Sequence, residues 1–269
     1  MSVLNNSELF RSSILDIDNN IIDNHYIITK WLDENCDIYA DDPTRPYEIV
    51  NDIVNVYGTV TIKNKKIEYI PIQFGIVTKN FNCYGCSNLK SLEGSPHKTT
   101  RFDCSDCDSL TNLIGGPREV NYYYCYGCHG LTSLKGGPDI CRKLFDCTSC
   151  SRIKTFDWES KYPAEYMGRF DFSDCISLIS FDGFPFANVG ELKCCNCNSL
   201  NDMSGFPKVV RGDLDCSFSC NLKSIDGIPV IIQGDLMLSR CQSLVISEKQ
   251  IRIKSYIKGE VYVQNKVKQ

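Results

Sequence analysis

FDCSDCDSLTNLIGGP, running from Phe102 to Pro117, decides the fold, because the chain writes it repeatedly. FNCYGCSNLKSLEGSP precedes it at Phe81, and YYCYGCHGLTSLKGGP follows at Tyr123. FDCTSCSRIKTF then begins at Phe145, FDFSDCISLISFDGFP at Phe170 and LKCCNCNSLNDMSGFP at Leu192. LDCSFSCNLKSIDGIP starts at Leu214 and LMLSRCQSL at Leu236. Aligned on Cys83, Cys104, Cys125, Cys147, Phe172, Cys194, Cys216 and Leu238, the steps are 21, 21, 22, 25, 22, 22 and 22 residues. The long step carries an insertion around Trp158 to Tyr162. A fixed period of this length marks a stacked repeat.

Outward from these copies, GTVTIKNKKIEYIPIQFG is a degenerate one, with Ile62 placed 21 residues before Cys83. Ile67, Ile70 and Pro71 echo the later Leu, Leu and Gly-x-Pro, and Gly259 to Val263 reads as a last strand. The count is about ten rungs of 21–22 residues over residues 54–265. Within a copy, the opening Phe102-x-Cys104 has period two, as expected of a short strand with one buried side. Asn, Asp and Ser bend the chain, Leu110 and Leu113 return to the core, and Gly116-Pro117 closes the turn. So short a unit cannot bury its apolar side alone; stacking on its neighbour does. The expected fold is a mainly β solenoid with one short parallel strand per rung.

At these residues the sequence resembles a leucine-rich repeat. The pattern L-x-L-x-x-N/C-x-x-L maps onto Phe102, Cys104, Cys107 and Leu110, and onto Leu192, Cys194, Cys197 and Leu200. LxSLxGxP copies such as Leu89 to Pro96 look like the repeat proteins of giant DNA viruses of amoebae and of some large phages. Ile70 to Gly75 looks like the lead-in segment of that group. The resemblance covers residues 54–265 and implies a leucine-rich-repeat-like coil, in host cytoplasm if viral. The chain differs from most such repeats in placing Cys at two core positions per turn.

Composition narrows the function. Of 269 residues, 42% are apolar and 23% charged, which is globular. A net charge of −4 gives no electrostatic reason to expect nucleic acid or an anionic membrane. No apolar run is long enough to span a bilayer. The first thirty residues carry no basic segment followed by an unbroken apolar one, so a cytoplasmic, reducing location is expected. No nucleophile-elbow, zincin, P-loop or dinucleotide fingerprint occurs, and His25, His97 and His129 are scattered. We therefore expect no catalysis and no cofactor.

Seventeen cysteines demand their own account. Thirteen fall on two columns: Cys83, Cys104, Cys125, Cys147, Cys194 and Cys216, then Cys86, Cys107, Cys128, Cys150, Cys175, Cys197 and Cys241. Cys36, Cys141, Cys195 and Cys220 lie outside. Cys83-x2-Cys86-x17-Cys104-x2-Cys107 matches a four-thiolate zinc spacing. Stacked rungs could also carry disulfides. The repeats favour a third reading, buried thiols as filler. The first column accepts Phe172, Leu238 and Ile62, which cannot ligate a metal. The second accepts Ser219 once, where the thiol moves to Cys220. The leucine-rich-repeat resemblance implies that this column is its Asn/Cys ladder, whose polar atom caps backbone groups between rungs, as a weak S–H donor partly can.

A solenoid's function usually lies on the exposed side of its strands. Between the two buried strand positions the expected exposed column includes Asp103, Tyr124, Asp146, Asp171 and Asp215. Flanking columns add Tyr122 on one side and Tyr84 and Tyr126 on the other. Tyrosines of this kind are enriched at interfaces, and the acidic bias points to a partner presenting Lys or Arg. The expected function is a non-enzymatic protein–protein interaction scaffold, as a monomer. The alternatives are a structural or virion component without a discrete ligand, or a zinc-stabilised repeat; equally, the Asp residues could simply hold tight turns.

The ends differ from the middle. Residues 1–53 are expected to cap the first rung: Ile14 to Ile22 is mixed, and His25 to Asn35 has helical spacing. Asp41 to Pro46 is a break, and Val54, Val56, Val60 and Ile62 alternate as opening strands. Ile251, Ile253, Tyr256 and Ile257 alternate before Val261 and Val263, to close the far end, with residues 266–269 as a tail.

Overall fold

A computed structural model of the protein describes residues 23–159 and 167–263. Ile14 to Ile22, the tail and most of the insertion after Trp158 lie outside the described residues. The architecture is the expected β solenoid. Among the described residues, sixteen strands form one sheet. Ten of its levels, from Gly58–Ile62 to Val261–Val263, carry the strand of successive copies, joined by nine turns of the coil. Neighbouring copies pair in parallel and in frame: Phe81 with Phe102, Phe102 with Tyr123, Tyr123 with Phe145 and Phe145 with Phe170. The repeat period is therefore also the strand register.

The core is a set of ladders. Phe81, Phe102, Tyr123, Phe145 and Phe170 stack with ring centroids 5.0–6.0 Å apart. Leu192, Leu214 and Leu236 continue that column, fully buried. All members of the first cysteine column are at most 1% exposed, including Phe172 and Leu238. Phe172 brings more volume than a thiol, and the coil answers with Phe156, Phe181 and Phe184 packed around it.

Each rung also has a second strand arm that the sequence reading missed. It follows the Gly-x-Pro corner and buries Val77, Thr99, Val120, Cys141, Val189, Val210, Ile232 and Ile257. Cys141, set aside as an outlier, belongs to this column and pairs with Val120. In the early rungs the two arms form one bulged strand, such as Gln73–Asn82. In later rungs they separate, as in Val209–Val210 and Leu214–Asp215.

The ends are closed differently. A helix, Asn24–Asn35, covers the first rung with Ile28 and Leu32, and its N-terminus is capped by Asp23. Cys36–Ala40 then pairs antiparallel with Gly58–Ile62, so the cap region supplies an outer strand of the main sheet. Val54, Val56, Val60 and Ile62 are all fully buried, as their alternation required. At the far end, the alternation of Ile251 and Ile253 misled: Glu248–Lys254 is helical. Ser247 and Gln250 form a capping box, Ile251 is buried and Ile253 is exposed. That Ser-x-x-Gln signal was present in the sequence and outweighs two alternating isoleucines.

Candidate functional site

The outward sheet face is built by one alternation. Phe102 and Cys104 point in, so Arg101 and Asp103 stand on the other side, and the same holds in each copy. In the third copy these places are Tyr122 and Tyr124, with Tyr126 just past the strand end. Tyr122 and Tyr124 lie with ring planes 11° apart and centroids 6.4 Å apart. Tyr84 and Tyr126, two copies apart, lean together to 6.3 Å. The structure thus brings all four predicted tyrosines onto one face. Tyr84 and Tyr122 are exposed, while Tyr124 and Tyr126 are half-buried. The Arg101 guanidinium lies 4.2 Å from the centre of the Tyr124 ring and 3.2 Å from the Asp103 carboxylate, so it holds that ring in place. Asp106 beside the Tyr84 hydroxyl raises that group's pKa, and burial raises those of Tyr124 and Tyr126.

The aspartates require a correction. Asp103 is buried, only 6% exposed, rather than on a solvated surface. Its carboxylate accepts the Ser105 N–H at 3.2 Å. Asp146, Asp171 and Asp215 do the same for Thr148, Ser173 and Ser217, at 3.0, 3.1 and 2.9 Å, and are half-buried. Asn82 serves Tyr84 identically at 2.8 Å. The column exists because the residue after next starts a tight turn, and a short carbonyl side chain satisfies its N–H. Each aspartate therefore has one oxygen committed to the turn before any partner arrives.

That turn passes through a left-handed residue in each copy: Gly85, Asp106, Gly127, Ser149, Asp174, Asn196, Phe218 and Arg240, at φ from 55° to 70°. Asn, Asp and Gly tolerate this conformation. Phe218 does not, yet stands half-exposed with Arg240 5.3 Å above its ring.

The second cysteine column is a hydrogen-bond ladder. The thiols of Cys107, Cys128, Cys150 and Cys175 donate to the carbonyls of Cys83, Cys104, Cys125 and Cys147 one turn back, at 3.1–3.3 Å. Cys197 donates to Phe172 and Cys241 to Cys216, both at 3.2 Å. Ser219 replaces thiol by hydroxyl and keeps the bond, to Cys194 at 3.2 Å. A donating thiol is a protonated one, which is the reverse of a thiolate ligand. All 17 cysteines are free thiols. Burial pushes Cys36 and Cys141 up to about 12 and drives Cys104 well above the usual thiol range. Among the described residues, no group of three or more His, Cys, Asp or Glu is placed to hold a metal ion.

Fold and site together define a β-solenoid repeat protein with an ordered, aromatic-bearing sheet face. Compared with known proteins, the chain matches no described family, no curated protein and no solved structure. Among the described residues, no helix is long and apolar enough to cross a membrane.

Proposed function

We propose that the chain is a non-enzymatic scaffold that binds a protein partner on the outward sheet face, with Tyr84, Tyr122, Tyr124 and Tyr126 as its anchor. The two ring pairs on one face, Tyr122 with Tyr124 and Tyr84 with Tyr126, with Arg101 held over Tyr124, carry this reading. Rigid aromatic side chains give contact area with little entropy to lose on binding. We read the repeat as the leucine-rich type and place the protein in the cytoplasm, that of the host if the chain is viral. Replacing Tyr124 and Tyr126 together by Ala should abolish recovery of a stoichiometric partner from expressing cells while the melting curve stays unchanged. An unaltered partner would remove the proposal.

The committed aspartates favour a second reading, a structural or assembly component whose face binds nothing discrete. Association of the chain with particles, in place of a stoichiometric partner, would establish it.

A further inference from the structure

The sheet face has a second, chemically opposite end. Asp213, Asp235 and Glu260 stand immediately before Leu214, Leu236 and Val261, which pair in register, so they occupy one column on successive rungs. Asp215 stands on the same face one place on. Asp213 accepts the Asp235 N–H at 2.8 Å and Asp235 the Glu260 N–H at 2.9 Å, each through one oxygen. Their second oxygens remain for solvent or a ligand. Among the described residues, no ion pair joins Asp213, Asp215, Asp235 or Glu260 to a basic side chain. The nearest lysine in register, Lys193 opposite Asp215, is paired with Glu191 at 3.5 Å. Elsewhere on the face Arg101 pairs with Asp103 and Arg169 with Asp171. Asp146 stands singly, bonded to the Thr148 N–H and hydroxyl, so among the described residues carboxylates without an ion pair cluster on successive rungs only at this end.

Resting on the scaffold reading above, we infer that the occupant is one extended segment of a partner protein, laid across the strands along the coil axis. It would place an apolar anchor on the tyrosines and a Lys/Arg cluster on these carboxylates. The register sets the spacing. Tyr124, Asp146, Asp171, Lys193 and Asp215 are aligned neighbours, so the two patches are four strand steps apart. At about 4.8 Å per step this is about 19 Å, which an extended chain rising about 3.3 Å per residue covers in about six residues. Unmatched carboxylates at one end and fixed rings at the other give such a segment both register and direction.

Random peptides long enough to reach both patches, displayed on phage and selected on the full chain at low salt, test this. The enriched peptides should carry two or more Lys or Arg about six residues from a proline or aromatic residue. They should bind at least about tenfold more weakly to the Asp213→Asn/Asp235→Asn variant, because the charge attraction is gone. Asn keeps the carbonyl acceptor for both cross-turn bonds, so that variant should fold, which a thermal melt checks. Peptides that depend on Tyr124 and Tyr126 but carry no basic cluster, or that bind the Asn variant undiminished, would overturn the inference and leave the scaffold reading standing. If no enriched peptide depends on the tyrosines, both fall.

Discussion

The rungs before Asp146 and those after Asn188 share a repeat but not a shape. In the early half the strands are unbroken, six to ten residues long: Gln73–Asn82, Lys98–Asp103, Glu119–Tyr124 and Ile140–Asp146. In the late half Asn188–Lys193 is still one strand, but from Val209 onward each rung carries two short ones, as in Ile231–Ile232 and Leu236–Leu238. One position differs between the halves, although it does not split a strand by itself: Met167–Asp171 and Asn188–Lys193 run unbroken through Gly168 and Gly190. Four residues before the first cysteine column stand Lys79, Thr100, Asn121 and Lys143 early, but Gly190, Gly212, Gly234 and Gly259 late. A Cβ at Gly234 would lie 2.1 Å from the Asp213 carboxylate and 2.6 Å from the Gly212 backbone. Without side chains there, the chain cuts a corner and successive rungs close on one another. The lesson is that a glycine column lets the late rungs approach closely, while the sheet itself splits only beyond Lys193.

The sharpest way to break this comparison is to exchange the column. Gly234→Ala should destabilise the protein by about 3 kcal/mol or more, since backbone must move. Asn121→Gly in the early half should cost only about 1 kcal/mol, the entropy of a freer chain. Denaturant titrations of both variants measure this, and equal losses would mean that the close approach at the glycine column is no special constraint on the late half.

A smaller effect separates the cysteine columns. Cys128→Ser should be nearly neutral, because the late half already uses Ser219 in the same role. Cys125→Ser, in the first column, buries a hydroxyl among apolar neighbours and should cost about 1–3 kcal/mol. Chemical denaturation of the two variants side by side tests the division of labour, and the reverse order would refute it.

Most of the coil was legible because its instructions repeat. Register and core columns follow from spacing, since frame fixes which side chains stack; the capping role of the second cysteine column came from the resemblance to a leucine-rich repeat. The second strand arm escaped notice because its column, Val77, Thr99, Val120 and Cys141 onward, mixes residue types and shifts by one place at bulges. The aspartates were harder still. A carboxylate holding a turn and one awaiting a partner occupy the same sequence position; only the geometry at Ser105, Thr148, Ser173 and Ser217 distinguishes them. The tyrosine face was found as a column, but the stacking of Arg101 on Tyr124 was not, because that contact joins neighbouring rungs.

The mildest expected effect concerns Phe218. Its left-handed backbone suits Asn, Asp or Gly, and those types fill most of the equivalent places. Phe218→Asn should therefore stabilise the late half by about 1 kcal/mol. Differential scanning calorimetry would register it as a higher melting temperature; a lower one would show that the contact with Arg240 outweighs the strain.

The thiol-to-carbonyl ladder has a mechanical meaning. Every bond in it ties a winding to the one before, and none reaches further, so the ladder does not lock distant parts of the coil together. Pulled from its C-terminal end, such a molecule should unreel like a spring losing coils in order, paying out about 75 Å of thread with each yield, the stretched length of one 22-residue period.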